Sequence, residues 1–294
     1  MVKLYDQISG NKWKSWALML AIFVLVIITG FFFGYMTGLG DLGLLLALFL
    51  AVAYSFFGYY YSDRIVLGIS GAKEADPNKY PNLCNTVEGL AIAAGIPAPK
   101  AYVIEDSAPN AFATGRDPAH GAIAVTTGLL NMMNRKELEG VIGHEMSHIK
   151  NYDIRFATIA VVMVGMISIM GNIAMRILFY GGYRGGGERR KGEAVLLIIG
   201  IILIILAPIF AQLVRLAISR KREFLADASG ALLTRYPDGL ADALEKLGKS
   251  TEGVKNASDV TAPLYIVNPL SGKISGLFST HPPIEERIKA LREM

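Results

Sequence analysis

Cysteine is almost absent: Cys84 is the single one among 294 residues, so the chain can form no internal disulfide. Cys84 reads as a small buried residue on a helix over Tyr80–Ala94. Nucleic-acid motifs are absent as well. The net charge of +4 and the isoelectric point near 9.0 therefore imply no nucleic-acid partner, because the basic residues gather at the ends of apolar segments. No internal repeat occurs, and low complexity is confined to the Gly-rich loop Gly181–Glu193.

Charge is missing from long stretches. Trp16–Tyr35 and Leu42–Tyr61, 20 residues each, carry no charged side chain. At about 1.5 Å per residue each is long enough for the roughly 30 Å of hydrocarbon in a bilayer. Ala194–Val214 is more apolar still, with Pro208 as an expected kink, and Ala157–Met175 is charge-free but carries Asn172. The apolar share is 52% and the mean hydropathy +0.40, high for a soluble domain. Trp13, Trp16 and Tyr59–Tyr61 stand where interfacial aromatics belong. The first segment is long, lacks a small-residue cleavage pattern and is soon followed by another. It reads as a retained anchor rather than a signal peptide. Lys3, Lys12 and Lys14 precede this hairpin and Arg64, Lys73 and Lys79 follow it, while Met36–Asp41 inside it has no Lys or Arg. The positive-inside rule then puts both ends of the hairpin in the cytoplasm.

Histidine is scarce too, yet two of the 4 histidines stand in His144-Glu145-Met146-Ser147-His148, an H-E-x-x-H pattern. With 4 His and 14 Glu, chance yields this pattern in roughly three of a thousand such chains. Histidines four apart on a helix share a face. Both imidazoles can then reach one tetrahedral zinc while Glu145 stays free as a base. The surroundings predict a helix from about Arg135 to about Asn151. Asn134 is its N-cap, Glu137 completes a capping box, and Leu138, Val141, Ile142 and Ile149 recur at helical spacing. A catalytic zinc takes a third protein ligand and leaves a fourth position for water. The best candidate is Glu223, with Asp227 one turn on as the acceptor for a ring N–H of a ligating histidine. Alternatively, both carboxylates answer the basic run beside them.

The H-E-M-S-H stretch, then Ser219-Arg220-x-x-Glu223-Phe224-x-Ala226-Asp227, then Ser279-Thr280-His281-Pro282-Pro283 ending in Arg287, resemble in that order the HtpX family of integral-membrane zinc metalloproteases. A more distant resemblance, through the H-P-P-x-x-x-R element, is to the CAAX prenyl endopeptidases. The resemblance covers essentially the whole chain. Together with the spacing it implies one Zn2+ on His144, His148 and Glu223, with Glu145 as general base. His281 and Arg287 are the candidates for stabilising a developing oxyanion, and read otherwise as a capping His and a surface Arg. Asp153, five residues after His148, is placed to support the zinc helix through a hydrogen bond. Asn110-Ala111-Phe112-Ala113-Thr114-Gly115 resembles the family segment at which a substrate strand adds to an exposed sheet edge, and reads equally as an ordinary core hairpin. His120 lies in a turn and has no expected metal role. Cobalt or manganese suits the same donors.

The expected fold is an α+β membrane protein, mostly helical, with up to four transmembrane helices and a zincin-like catalytic domain holding a small β-sheet. Strands are expected over Lys100–Glu105, Ala111–Gly115 and Ala122–Thr127, and two helices after Tyr236, the last begun by Pro282-Pro283. Residues 1–62 form the membrane anchor, 63–156 and 216–294 the two catalytic parts, and 157–215 an apolar hairpin. His148 and Glu223 must meet at one ion, so that hairpin crosses the bilayer twice or not at all. Arg184, Arg189, Arg190 and Lys191 in its loop oppose crossing, and the apolarity of Ala194–Val214 favours it. Arg215, Arg220, Lys221 and Arg222 form a basic collar suited to anionic headgroups. The resemblance implies cleavage of misfolded or damaged membrane proteins on the cytoplasmic side, as quality control under stress. The expected partners are protein substrates and the lipid bilayer. A prenyl-protein peptidase and a non-catalytic zinc-binding scaffold are the alternatives. A zinc transporter is disfavoured because the apolar segments hold no His, Asp or Glu.

Overall fold

The computed structural model describes residues 2–37, 40–162, 220–258, 261–270 and 282–294. The expected span Ala194–Val214, most of Ala157–Met175, Arg215 and His281 lie outside the described residues.

Helix α1 (Val2–Thr37) packs along α2 (Gly40–Tyr60), and Trp16 stacks on Tyr59 with ring centroids 5.8 Å apart. Short α3 (Ser62–Ile69) follows. Among the described residues no single helix is long and apolar enough to cross a membrane; Leu44–Tyr60 and Ser62–Ile69, bent by 70°, are so together. The side chains of residues 32–37 in α1, and several before them, are outside the described set.

The sheet is small and mixed. Its strands are β1 (Lys73–Glu74), β2 (Lys100–Ile104), β3 (Ala111–Gly115) and β4 (Gly121–Thr126), in the order β1-β2-β4-β3. β2 and β4 run parallel, with Tyr102 opposite Ala124; β3 runs antiparallel to β4, with Phe112 opposite Ala124. β4 ends one residue before the sequence predicts, because Thr126 turns to cap α5 (Thr127–Met132), its Oγ1 accepting from the Leu129 amide at 3.1 Å. Both β3 and β4 are buried along their whole length.

Strand alternation feeds two cores. Ala111, Ala113, Ile123 and Val125 join the first, and Phe112, Ala122 and Ala124 the second. The first core gathers α4 (Pro81–Ala94), α6 (Arg135–Lys150), α7 (Arg220–Thr234), α8 (Pro237–Lys249) and α9 (Ile284–Arg292), through Val87, Met146, Ala231, Leu244 and Leu291. It thus unites residues 75–154 with residues 231–291. Cys84 is only half-buried against it. The second core joins Leu18 and Met19 of α1 to Val66, Phe112 and Tyr265, and to Phe156 and Ile159 of the helical stretch 153–162.

Helix α6 begins where the sequence predicts. Asn134 Oδ1 accepts the Glu137 amide at 3.0 Å, and Glu137 Oε2 accepts the Asn134 amide at 2.8 Å. Against α6 lies α7, and their contact is set by Gly230: a Cβ there would stand 2.8 Å from the His144 nitrogen. Glu223, Asp227 and Gly230 share one face of α7, so this close approach fixes where the two carboxylates sit. Gly230→Ala gains up to about 1 kcal/mol of helix propensity. It costs about 1–3 kcal/mol in overpacking and pushes α7 off α6. A lower unfolding temperature and a several-fold weaker metal affinity are expected, read by thermal unfolding and metal titration. An unchanged affinity would show that this spacing does not set the ligand geometry.

Candidate metal centre

Two buried turns of α6 and one of α7 make the site. His144 Nε2 and His148 Nε2 point at each other, 3.1 Å apart. Glu223 Oε2 lies 3.7 Å from the first and Oε1 3.5 Å from the second. One ligand atom from each residue lies within 4.8 Å of the other two. A tetrahedral ion with bonds of roughly 2.0–2.1 Å sets its ligand atoms about 3.3 Å apart. The observed separations bracket that value, and the donor set of two imidazoles and one carboxylate is one that holds zinc. These residues therefore fit a metal ion without rearrangement of the fold.

The outer nitrogens are held as well. His144 Nδ1 donates to Asp227 Oδ1 at 2.9 Å, and His148 Nδ1 to Asp153 Oδ2 at 3.1 Å. Carboxylates only accept, so each Nδ1 carries hydrogen, and the two Nε2 atoms are the ones turned inward. Both supporting carboxylates stand where the sequence predicts. The electrostatics divide the pair. Burial lowers the His144 pKa, outweighing the Asp227 carboxylate. Burial also opposes charge on His148, but Asp153, Glu223 and Glu145 outweigh it and hold its pKa at about 9.

Glu145 is buried beside these ligands. Desolvation raises its carboxyl pKa to about 7, against the opposing pull of His148, Arg287 and the Ala113 backbone amide. A carboxyl tuned to this range accepts and returns a proton near neutral pH. The cleft over the site is lined by His144, Glu145, His148, Glu223, Ala113 and Tyr265, among others.

Residues 77–294 match the profile of Peptidase family M48. The chain belongs to this family. Its similar curated relatives include proteins named Protease HtpX homolog. The one from Dictyoglomus thermophilum is 50% identical over 290 residues, covering 99% of this chain and 94% of the relative. Those from Caldanaerobacter subterraneus and Streptococcus gordonii are 46% and 44% identical, each over 99% of this chain and 98% and 100% of their own. Among solved structures, the crystal structure of S. mikatae Ste24p gives a TM-score of 0.50 at 20% identity, over 99% of this chain and 67% of that one, a likeness of fold. This M48 peptidase is a metalloprotease, and among the described residues His144, His148 and Glu223 form a cluster that could hold a metal ion.

Three expectations need correction in the M48 site. Arg287 is neither a surface residue nor on the cleft: it is 0% exposed, behind the ligands. Its Nε and Nη2 clasp both oxygens of Asp227 at 2.8 and 2.7 Å, its Nη1 donates to the Ile266 carbonyl at 3.1 Å, and Nη1 lies 3.6 Å from Glu223 Oε2. This clasp holds the Asp227 pKa down to about 2, against its burial. Nor is the edge open at Asn110, Ala111 and Phe112, whereas Ala113 lines the cleft. Although β3 ends the sheet, Ile266 donates to the Ala111 carbonyl at 2.9 Å, Phe112 bridges to Tyr265, and the Asn110 amide donates to the Val267 carbonyl at 3.0 Å. Chain from the C-terminal part already covers the edge up to Ala113. Finally, Arg222 leaves the basic collar: it is buried and sits 3.6 Å from Asp153, whereas Arg220 and Lys221 are exposed. His120 pairs with Asp117 at 2.7 Å in an exposed turn. Asn11 of α1, whose Nδ2 donates to Asp153 Oδ1 at 2.8 Å, joins the site without a sequence signal, since a lone Asn in a helix carries no spacing pattern.

Proposed function

We propose that this chain is a zinc-dependent endopeptidase, anchored in a membrane, that cuts misfolded or damaged membrane proteins on the cytoplasmic side as quality control. The observation that carries the chemistry is the meeting of His144, His148 and Glu223 at tetrahedral separations beside the buried Glu145. A zinc ion held there supplies Lewis acidity, lowering the pKa of a water toward about 7 and polarising a scissile carbonyl. Glu145 takes the proton from the attacking water and passes it to the leaving amide nitrogen. Glu145 and Ala113 both line the cleft. Asp227 and Asp153 fix the imidazole tautomers, and Arg287 holds Asp227 in place. His281, outside the described residues, is retained as the candidate oxyanion donor.

Membrane anchorage is supported by the two charge-free runs and by the apolar side chains that α1 and α2 expose, among them Leu20, Phe31, Leu45, Phe49 and Leu50. The flanking lysines and arginines support a cytoplasmic active site. Loaded with zinc in detergent, the protein is expected to cut an unfolded membrane protein within its loops and to leave a C-terminally lipidated peptide intact. Cleavage confined to the lipidated peptide would put prenyl-protein processing in place of quality control.

A further inference from the structure

The N-terminal helix reaches into the metal centre. Asn11 of α1 is buried, and its Nδ2 donates to Asp153 Oδ1 at 2.8 Å and to the Asn151 carbonyl at 3.1 Å. Its Oδ1 accepts from Arg222 Nη1 at 3.2 Å. One orientation of the amide alone satisfies all three partners, because a carboxylate and a carbonyl only accept and a guanidinium only donates. The other oxygen of Asp153 accepts from His148 Nδ1 at 3.1 Å. Asn11 therefore stands one residue away from a ligand, across a single carboxylate.

The turn it grips is unusual. Asn151 caps the C-terminus of α6, and Tyr152 sits in the left-handed region at φ 59°, where a bulky side chain is disfavoured. That turn brings Asp153 back beneath His148. Lys12 lies over the Tyr152 ring, 4.2 Å from its centroid. Such strained backbone persists only where its surroundings fix it. Leu18 and Met19 of α1 give it apolar contacts apart from these bonds, and among the described residues the Ser15 hydroxyl donates to the Asn11 carbonyl within the same helix.

We propose that Asn11 is a positioning residue of the metal centre, fixing Asp153 and through it the orientation of His148. The seat of the N-terminal helix and the geometry of a ligand are then set by the same hydrogen bonds. This rests on the reading of His144, His148 and Glu223 as ligands.

The test uses the full chain in detergent, with Asn11→Ala, Asn11→Asp and Ser15→Ala compared by chelator-competition zinc affinity and by the visible spectrum of the cobalt-loaded protein. Asn11→Asp keeps the shape and the Arg222 partner but removes the donor, so it decides if Asn11→Ala fails to fold. Outer partners of metal ligands are worth roughly 10–100-fold in affinity. About 10-fold weaker zinc binding and a shifted cobalt spectrum are expected in both Asn11 variants, with Ser15→Ala like the wild type. Wild-type affinity and spectrum in the Asn11 variants, or an equal loss in Ser15→Ala, would overturn the proposal. His148→Ala separates the two levels. If it abolishes binding while the Asn11 variants bind normally, only the role of Asn11 fails. If it binds zinc like the wild type, the ligand assignment fails and the proposal with it.

Discussion

Arg287→Ala is expected to destabilise the fold by about 3–5 kcal/mol, the cost of removing one partner from a buried ion pair. The guanidinium is fully enclosed and faces two carboxylates, Asp227 in a two-pronged clasp and Glu223 at 3.6 Å. Without it both would lie in low dielectric with their main cation gone. Asp227, now held near pKa 2, would move up toward and past its ordinary value. The folded-state pKa of Asp227 is depressed, so its contribution to stability is present above about pH 4 and lost as the pH falls toward 2. In Arg287→Ala that acid loss should begin at higher pH. A midpoint shift of roughly 6–20 °C follows from about 2–4 °C per kcal/mol for chains of this size class. Bound metal restores positive charge beside Glu223, so the deficit should be smaller in the loaded protein. Thermal unfolding with and without metal reads both effects. Arg287→Lys keeps the charge but cannot form the fork, and should fall between the two. A wild-type midpoint in Arg287→Ala would show that these carboxylates need no cation.

Glu145→Gln should slow peptide cleavage by orders of magnitude while leaving the metal in place. General acid–base groups contribute roughly 10²–10⁴-fold, and glutamine cannot carry a proton from water to the leaving nitrogen. The substitution is nearly isosteric. The carboxyl pKa of about 7 comes from burial. A general base works ionised, so wild-type activity should fall as pH drops through that value, and a bound dication moves this limb to lower pH. The slow reaction of Glu145→Gln should lack the limb.

Much of the site was legible because its signals are local. The capping box at Asn134 and Glu137 fixes where α6 starts, and a four-residue spacing on a helix fixes that His144 faces with His148 and Glu223 with Asp227. The bounds of β3 follow from its turns. What was not legible depends on contacts across the chain. Arg287 lies on a short helix next to Glu285 and Glu286, a pattern that reads as surface, and only the meeting of α9 with α7 buries it. The covering of β3 by residues 265–267 joins segments more than 150 residues apart. Asn11 meets Asp153 across 142 residues. In the small elements β1 and α5, two and six residues long, periodicity is too short to register.

The most direct test of the central claim, a metalloprotease built on His144, His148 and Glu223 with Glu145 as base, is one paired measurement. Wild type and Glu145→Gln are purified in detergent under chelator, loaded with zinc, assayed for bound metal and set to cut casein. The account predicts one zinc per chain in both and cleavage by the wild type alone. Equal cleavage by both, or undiminished cleavage by the stripped wild type, would contradict it.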